Sequence, residues 1–415
     1  MIKRLYIDGY KSFKNFEVEL QPLSVIFGPN GSGKSNLIDA IQLLSALCTS
    51  KNITDAFKHH RGEILESFNY SDVGFDENMK KPILVMTFEI DIEISENTLS
   101  ELSQKYSNSV LSKDILKVTQ NIERNFKYSL LVGAATKTGF LHVISESLIP
   151  LNGNHEDYYI ERNYDDIGAM FEPLGCGMFI GELGDPRSTV ISNAFEFPLH
   201  PVIKALNIEM SKLRTYYLNP QVMRENHPVK DVRSLASDGS DIAPFLNVLR
   251  DQKPNAYNNL IRTLKNILPQ KPNILIDRPK PGSLALKIEE NGIPYSADLV
   301  SDGTLRVIGF LAAFRPENNS TLVAFEEPEN GVHPVRLSQL ADVINNMADT
   351  GLFQIIITTH SPILPKYFNN ENLFVCGKDG NSTIVKPFVS LGSQYKDLEI
   401  LENLDDRILR GDFGG

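Results

Sequence analysis

Eight residues, Gly28-Pro29-Asn30-Gly31-Ser32-Gly33-Lys34-Ser35, carry the densest chemistry in this sequence. They fit the pattern G-x-x-x-x-G-K-[ST], in which a glycine-rich turn wraps phosphate oxygens with successive backbone N–H groups. Gly31 and Gly33 let the chain curl into conformations other residues avoid. A helix opening at Lys34 adds the partial positive charge of its N-terminus. Asn30, Gly31, Ser32, Gly33, Lys34 and Ser35 are therefore expected to hold a nucleoside triphosphate. Lys34 would reach the β- and γ-phosphates, and the Ser35 hydroxyl would hold Mg²⁺.

A second group lies almost 300 residues on, where Thr321-Leu-Val-Ala-Phe325 runs into Glu326-Glu327-Pro328. Neighbouring side chains on a strand diverge, so the two carboxylates can do different work. One can hold Mg²⁺, usually through water, and the other can orient and deprotonate an attacking water. Taken alone, Glu-Glu-Pro would read as an exposed turn; the apolar run before it reverses that. A third polar residue, His360, follows the apolar run Phe353–Thr359 and is expected beside the γ-phosphate. The other histidines, including the pair His59-His60, lack metal-ligand spacing and read as surface residues.

Three strands must present these groups. Leu23–Phe27, Leu322–Phe325 and Phe353–Thr359 are short apolar runs of the kind buried in parallel sheets. Ligands in open α/β sheets bind outside the C-terminal strand ends, which places loop, carboxylates and histidine at one edge. Leu37, Ile38, Ile41 and Leu44 give the helix after the loop one apolar face. Residues 97–126 have helical spacing (Leu99, Leu102, Tyr106, Val110, Leu111), too short for a long coiled coil. Residues 139–201 read as irregular and 231–269 as helical. No internal repeat is visible.

The chain has 415 residues, 41 Lys+Arg against 52 Asp+Glu and a formal net charge of −11, with ordinary globular hydrophobic content. That charge argues against a protein that simply coats nucleic acid. The balance is uneven, however. Residues 51–200 hold 13 basic and 23 acidic residues, whereas 201–280 hold 13 and 7. The second stretch is the one candidate for a DNA-facing surface. No apolar run approaches a membrane span, and the opening residues lack a secretory apolar core. Three scattered cysteines (Cys48, Cys176, Cys376) exclude a disulfide framework and predict a reducing, cytoplasmic setting.

In their order, GPNGSGKSN (28–36), LVSDGTL (299–305), FEEPENGVHP (325–334) and ITTHSP (357–362) resemble the motifs of ABC-type AAA ATPases of the SMC, RecF and OLD group. The opening forty residues are similar to that group's N-terminal β-lobe. The resemblance covers roughly 1–50 and 285–385. It implies an α/β P-loop NTPase head with a mixed, largely parallel sheet and an inserted α+β subdomain. The expected boundaries are 1–95 for the first part of the head, 96–285 for the insert and 286–415 for the rest. It also implies ATP with Mg²⁺, Asn36 as an extension of the nucleotide loop, Glu326 as the Walker B metal ligand and Glu327 as catalytic base. His360 matches the switch histidine, and 330–334 a D-loop-like turn. Ser301 and Gly303 correspond to a signature that contacts ATP bound to a second copy. A homodimer or higher oligomer closed around ATP follows. Glu326 departs from the usual Asp by one methylene, and no Q-loop glutamine can be placed.

Three roles compete. The first is an ATPase subunit of a DNA-directed defence system, probing phage infection, with a separate nuclease or toxin as effector. The second is a RecF-like repair ATPase that binds DNA itself. The third is an ATP-binding switch with little turnover. A transporter domain is disfavoured because no LSGGQ-type signature is present, and a membrane partner is not expected.

Overall fold

The structure, a computed structural model, describes residues 1–70, 73–106, 124–152, 160–163, 186–193 and 201–391. The chain divides into two compact units: Met1–Gln21, Gly31–Leu213 and Cys376–Lys386 in the first, Pro22–Asn30, Arg214–Val375 and Pro387–Gly415 in the second.

The first unit is built on an antiparallel sheet. Its strands are β1 (Ile2–Asp8), β2 (Phe16–Glu19), β4 (Ile83–Glu93), β5 (Asn125–Ala135), β6 (Leu141–Pro150) and β7 (Ile160–Asn163), in the order β2-β1-β4-β5-β6-β7. Every second residue of β4 and β5 is buried, including Met86, Phe88, Ile90, Tyr128 and Leu130. Such alternation is what a sheet with one covered face requires. Residues 141–150, expected to be irregular, are a strand paired with β5 along most of its length. The expected helix at 97–126 is α2 (Glu96–Tyr106); Asn125 and Phe126 open β5, and Val110 and Leu111 lie outside the described residues. Helix α1 (Lys34–Thr49) buries Leu37, Ile38, Ile41 and Leu44 as its spacing predicts. It is tied to α3 (Pro201–Ser211) by Ser45 Oγ donating to the Met210 carbonyl at 2.7 Å.

The second unit contains the parallel sheet. Strand β3 (Leu23–Phe27) lies between β14 (Gln354–Thr359) and β15 (Leu373–Asp379), with β13 (Leu322–Glu326) and then β8 (Leu213–Tyr216) beyond β14. All five residues of β3 and all six of β14 are buried, matching the near-continuous apolar runs. Helices α4 (Ile242–Gln252), α5 (Pro254–Ile267), α6 (Asp302–Ala313) and α7 (Leu337–Asp349) share one core with these strands, through Leu246, Leu260, Phe310, Ile344 and Phe325. The helices expected across 231–269 are thus α4 and α5. A smaller sheet is formed by β10 (Asn273–Asp277), β11 (Ser283–Glu290) and β12 (Ile293–Ser296), with the short β9 (His227–Pro228) paired to β11. The end of β15 turns back as a hairpin with β16 (Ser382–Pro387).

Candidate active site

In the first unit, the phosphate loop turns into α1 through Gly33, whose φ of +107° few L side chains adopt. The N-cap residue of α1 is Gly33, which has no side chain to cap the helix. A Cβ on Gly33 would lie 2.0 Å from Thr383 Oγ1, so both space and φ demand glycine. Ser32 and Lys34 are buried, with Lys34 Nζ 3.4 Å from Ser32 Oγ. Ser35 is half-buried in the first turn of α1. The Asn36 amide donates to Ser12 Oγ at 2.8 Å, so it braces the loop's surroundings rather than reaching outward.

In the second unit, the parallel register aligns the strand ends: Phe27 pairs with Thr359 and Thr358 with Glu326. Gly28, Pro29 and Asn30 therefore leave the same edge that carries Glu326 and His360. Glu326 closes β13, and Glu327 then swings into the left-handed region at φ +49°. That turn is held by the Glu327 N–H donating to the Thr358 carbonyl at 2.9 Å. Its carboxylate meets His360 Nε2 at 2.7 Å through Oε1 and accepts the Asn330 amide through Oε2. Two residues that sequence placed separately near one phosphate are thus in direct contact.

Glu329 is the residue sequence reasoning passed over. It is buried; Oε1 accepts the Thr359 hydroxyl and, at 3.3 Å, the Ser361 N–H. Its Oε2 is buried and, among the described residues, has no hydrogen-bond partner. Burial pushes its carboxyl above the usual range, against the lowering effect of the Thr359 bond. The signal available was its position two residues after Glu327, in Glu-Pro-Glu.

Ser301 caps α6, its Oγ accepting the Thr304 N–H at 3.2 Å. Gly303 lies against the turn at Gly331: a Cβ there would meet the Gly331 carbonyl oxygen at 2.0 Å. The segment 297–302 is gripped from outside by Arg224, which donates to the carbonyls of Ala297 (3.1 Å) and Val300 (2.9 Å) and pairs with Asp302 at 2.5 Å. Nothing in the local sequence marked Arg224. A cavity of about 460 Å³ opens beside Ser301, Gly303, Gly331, His333 and Arg336.

Two expectations need correction. His60 is no surface residue: it is half-buried, bonded to the Tyr10 hydroxyl and, at 3.2 Å, to Ser67 Oγ. Burial lowers its pKa to about 4, Lys11 adding to the effect. The basic stretch 201–280 is not one free surface. Lys204 is buried, Lys212 pairs with Glu101 at 2.7 Å and Arg224 is engaged at the signature, while Arg233, Lys253, Lys271 and Lys280 are exposed. Cys48 and Cys376 are buried free thiols, and Cys176 lies outside the described residues. Among the described residues no helix is long and apolar enough to cross a membrane.

Two family models match, "AAA domain" over residues 4–149 and "AAA domain, putative AbiEii toxin, Type IV TA system" over 192–364. The chain is 23% identical to an "ATP/GTP phosphatase" of Helicobacter pylori, across 93% of this chain and 94% of that protein. It is 22% identical to the "OLD nuclease" of Thermus scotoductus (99% of this chain, 68% of that one). It is 21% identical to the "Retron Ec83 probable ATPase" of Escherichia coli (89% and 70%). Among solved structures, an Smc head bound to the C-terminal winged-helix domain of ScpA superimposes with a TM-score of 0.54 at 13% identity, over 93% of this chain and 97% of that one. The fold is that of the SMC-type head, an α/β P-loop ATPase with mixed sheets. Together these matches support an ABC-type AAA ATPase of the SMC, RecF and OLD group.

Proposed function

We propose that this protein hydrolyses ATP to ADP and phosphate, that ATP closes copies of the chain against one another, and that hydrolysis releases them. The observation that carries this reading is the Glu327–His360 contact at the strand edge from which the phosphate loop departs. Asn30 to Asn36 bind and shape the phosphate site. The hard oxygens of Ser35 and Glu326 suit Mg²⁺, which favours oxygen donors and retains waters; bound there, it would neutralise charge on the phosphates. Glu327 takes the proton of the attacking water, and His360 holds that carboxylate in one orientation. Ser301 and Gly303 serve the nucleotide of a second copy, with the Ser301 hydroxyl leaving its cap on Thr304 to do so.

The biological role we infer is a sensor ATPase in a DNA-directed defence system with a separate effector, nuclease or toxin. The retron and OLD names of the relatives support it. Phosphate release by wild type and by Lys34→Ala, with and without duplex DNA, is the test. ATP-dependent mass doubling with turnover absent in Lys34→Ala supports the reading; Lys34-independent release sinks it. Salt-sensitive DNA binding through Arg233, Lys253, Lys271 and Lys280 would instead favour the RecF-like role.

A further inference from the structure

The hairpin of β15 and β16 touches the phosphate loop chiefly through Thr383, and the bonding there has a fixed direction. Thr383 Oγ1 lies 2.8 Å from the Ser32 carbonyl oxygen and 2.7 Å from Ser12 Oγ, and Ser12 Oγ lies 2.8 Å from Asn36 Nδ2. A carbonyl only accepts and an amide NH₂ only donates. The single Thr383 proton therefore goes to Ser32, Ser12 donates to Thr383, and Asn36 donates to Ser12. The chain is pinned at its other face by the Thr383 N–H, which donates to the Ser12 carbonyl at 2.9 Å. Cys376 Sγ adds a second, weaker donor to the Ser32 carbonyl at 3.6 Å. Thr383 is buried, and its side chain fills the space that a Cβ on Gly33 would need.

The consequence is backbone orientation. A trans peptide points its C=O and the following N–H in opposite directions. Holding the Ser32 carbonyl on Thr383 thus turns the Gly33 N–H away from Thr383. That donor is one of those a phosphate-wrapping turn must aim. We propose that Thr383, acting through Ser12 and Asn36, is a positioning residue that sets nucleotide affinity by fixing the Ser32–Gly33 peptide. The proposal rests on the nucleotide-binding reading above and adds a remote segment, some 350 residues on, as the loop's outer wall.

Equilibrium titration of the full chain with a fluorescent ATP analogue and Mg²⁺ tests it. Thr383→Val keeps shape and removes the hydroxyl; its Kd should rise about tenfold, the size of one lost hydrogen bond, with melting of the nucleotide-free protein little changed. Thr383→Ser restores the donor and should return the Kd to within about twofold of wild type. Ser12→Ala breaks the relay one step away and should weaken binding less, which keeps the test open if Thr383→Val folds poorly. Wild-type binding with unchanged Kd in Thr383→Val or, failing that, in Ser12→Ala overturns the proposal alone. Absence of binding by wild type overturns the nucleotide reading and this proposal with it.

Discussion

Gly33 in the first unit and Glu327 in the second both have positive φ, +107° and +49°, for opposite reasons. At Gly33 the residue type makes the conformation cheap, and the site is then made of backbone: an uncapped helix end and a turned peptide. At Glu327 the conformation costs on the order of 1–2 kcal/mol for a residue with a Cβ. It is held there by the Thr358 carbonyl, Asn330 and His360. The phosphate loop is specified by its own residues, whereas the carboxylate edge depends on partners gathered from β13, β14 and the turn between 327 and 332.

Substitutions can break that contrast, and in binding and stability the largest effect is expected at Gly33. Gly33→Ala forces a Cβ into a left-handed residue and onto Thr383. It should raise the nucleotide Kd by at least about 100-fold and destabilise the first unit by roughly 1–3 kcal/mol, measured by titration and urea unfolding. Glu329→Ala comes next: it strips the buried acceptor from the Thr359 hydroxyl and the Ser361 N–H. A loss of about 1–3 kcal/mol in stability is expected, together with slower turnover as the His360 segment loosens. Arg224→Ala should leave ATP binding by separate copies intact while weakening their ATP-dependent association several-fold, read by light scattering, because only the signature loses its grip.

The two units should also answer pH differently. His60 has a folded pKa near 4, below its unfolded value. Nothing is lost above the unfolded value near 6.5; as pH falls from there towards 4 the unfolded chain takes the proton first, so stability declines. Glu329 has a raised folded pKa. The destabilisation it brings is complete above that folded value and is relieved as pH falls through it towards the unfolded value. Melting curves of His60→Phe and Glu329→Gln against pH should flatten opposite slopes, the smallest of these effects. If both variants flatten the same slope, the assignment of one group is wrong.

Much of this was legible in the residues themselves. The strands Leu23–Phe27, Leu322–Glu326 and Gln354–Thr359 are mostly apolar because nearly all of their residues are buried, and the loop declares itself through glycine. Strand β6 escaped notice because Ser145, Glu146 and Ser147 dilute its pattern. Glu146 is in fact buried, accepting the Tyr128 hydroxyl at 3.1 Å and the Val190 N–H at 2.7 Å. Arg224 and Thr383 were invisible, and the role of Glu329 was passed over, for a common reason: each acts on a partner that only the fold brings near. Local spacing encodes backbone conformation well and long-range side-chain pairing poorly.

The most direct test of the account is single-turnover ATP hydrolysis by Glu327→Gln under saturating Mg²⁺, with association followed in parallel. The account predicts nucleotide binding close to wild type, a closed assembly that persists, and a rate lowered by about 10²–10⁴-fold, the range for loss of a general base. Hydrolysis at the wild-type rate, with the assembly dissolving as usual, would contradict it.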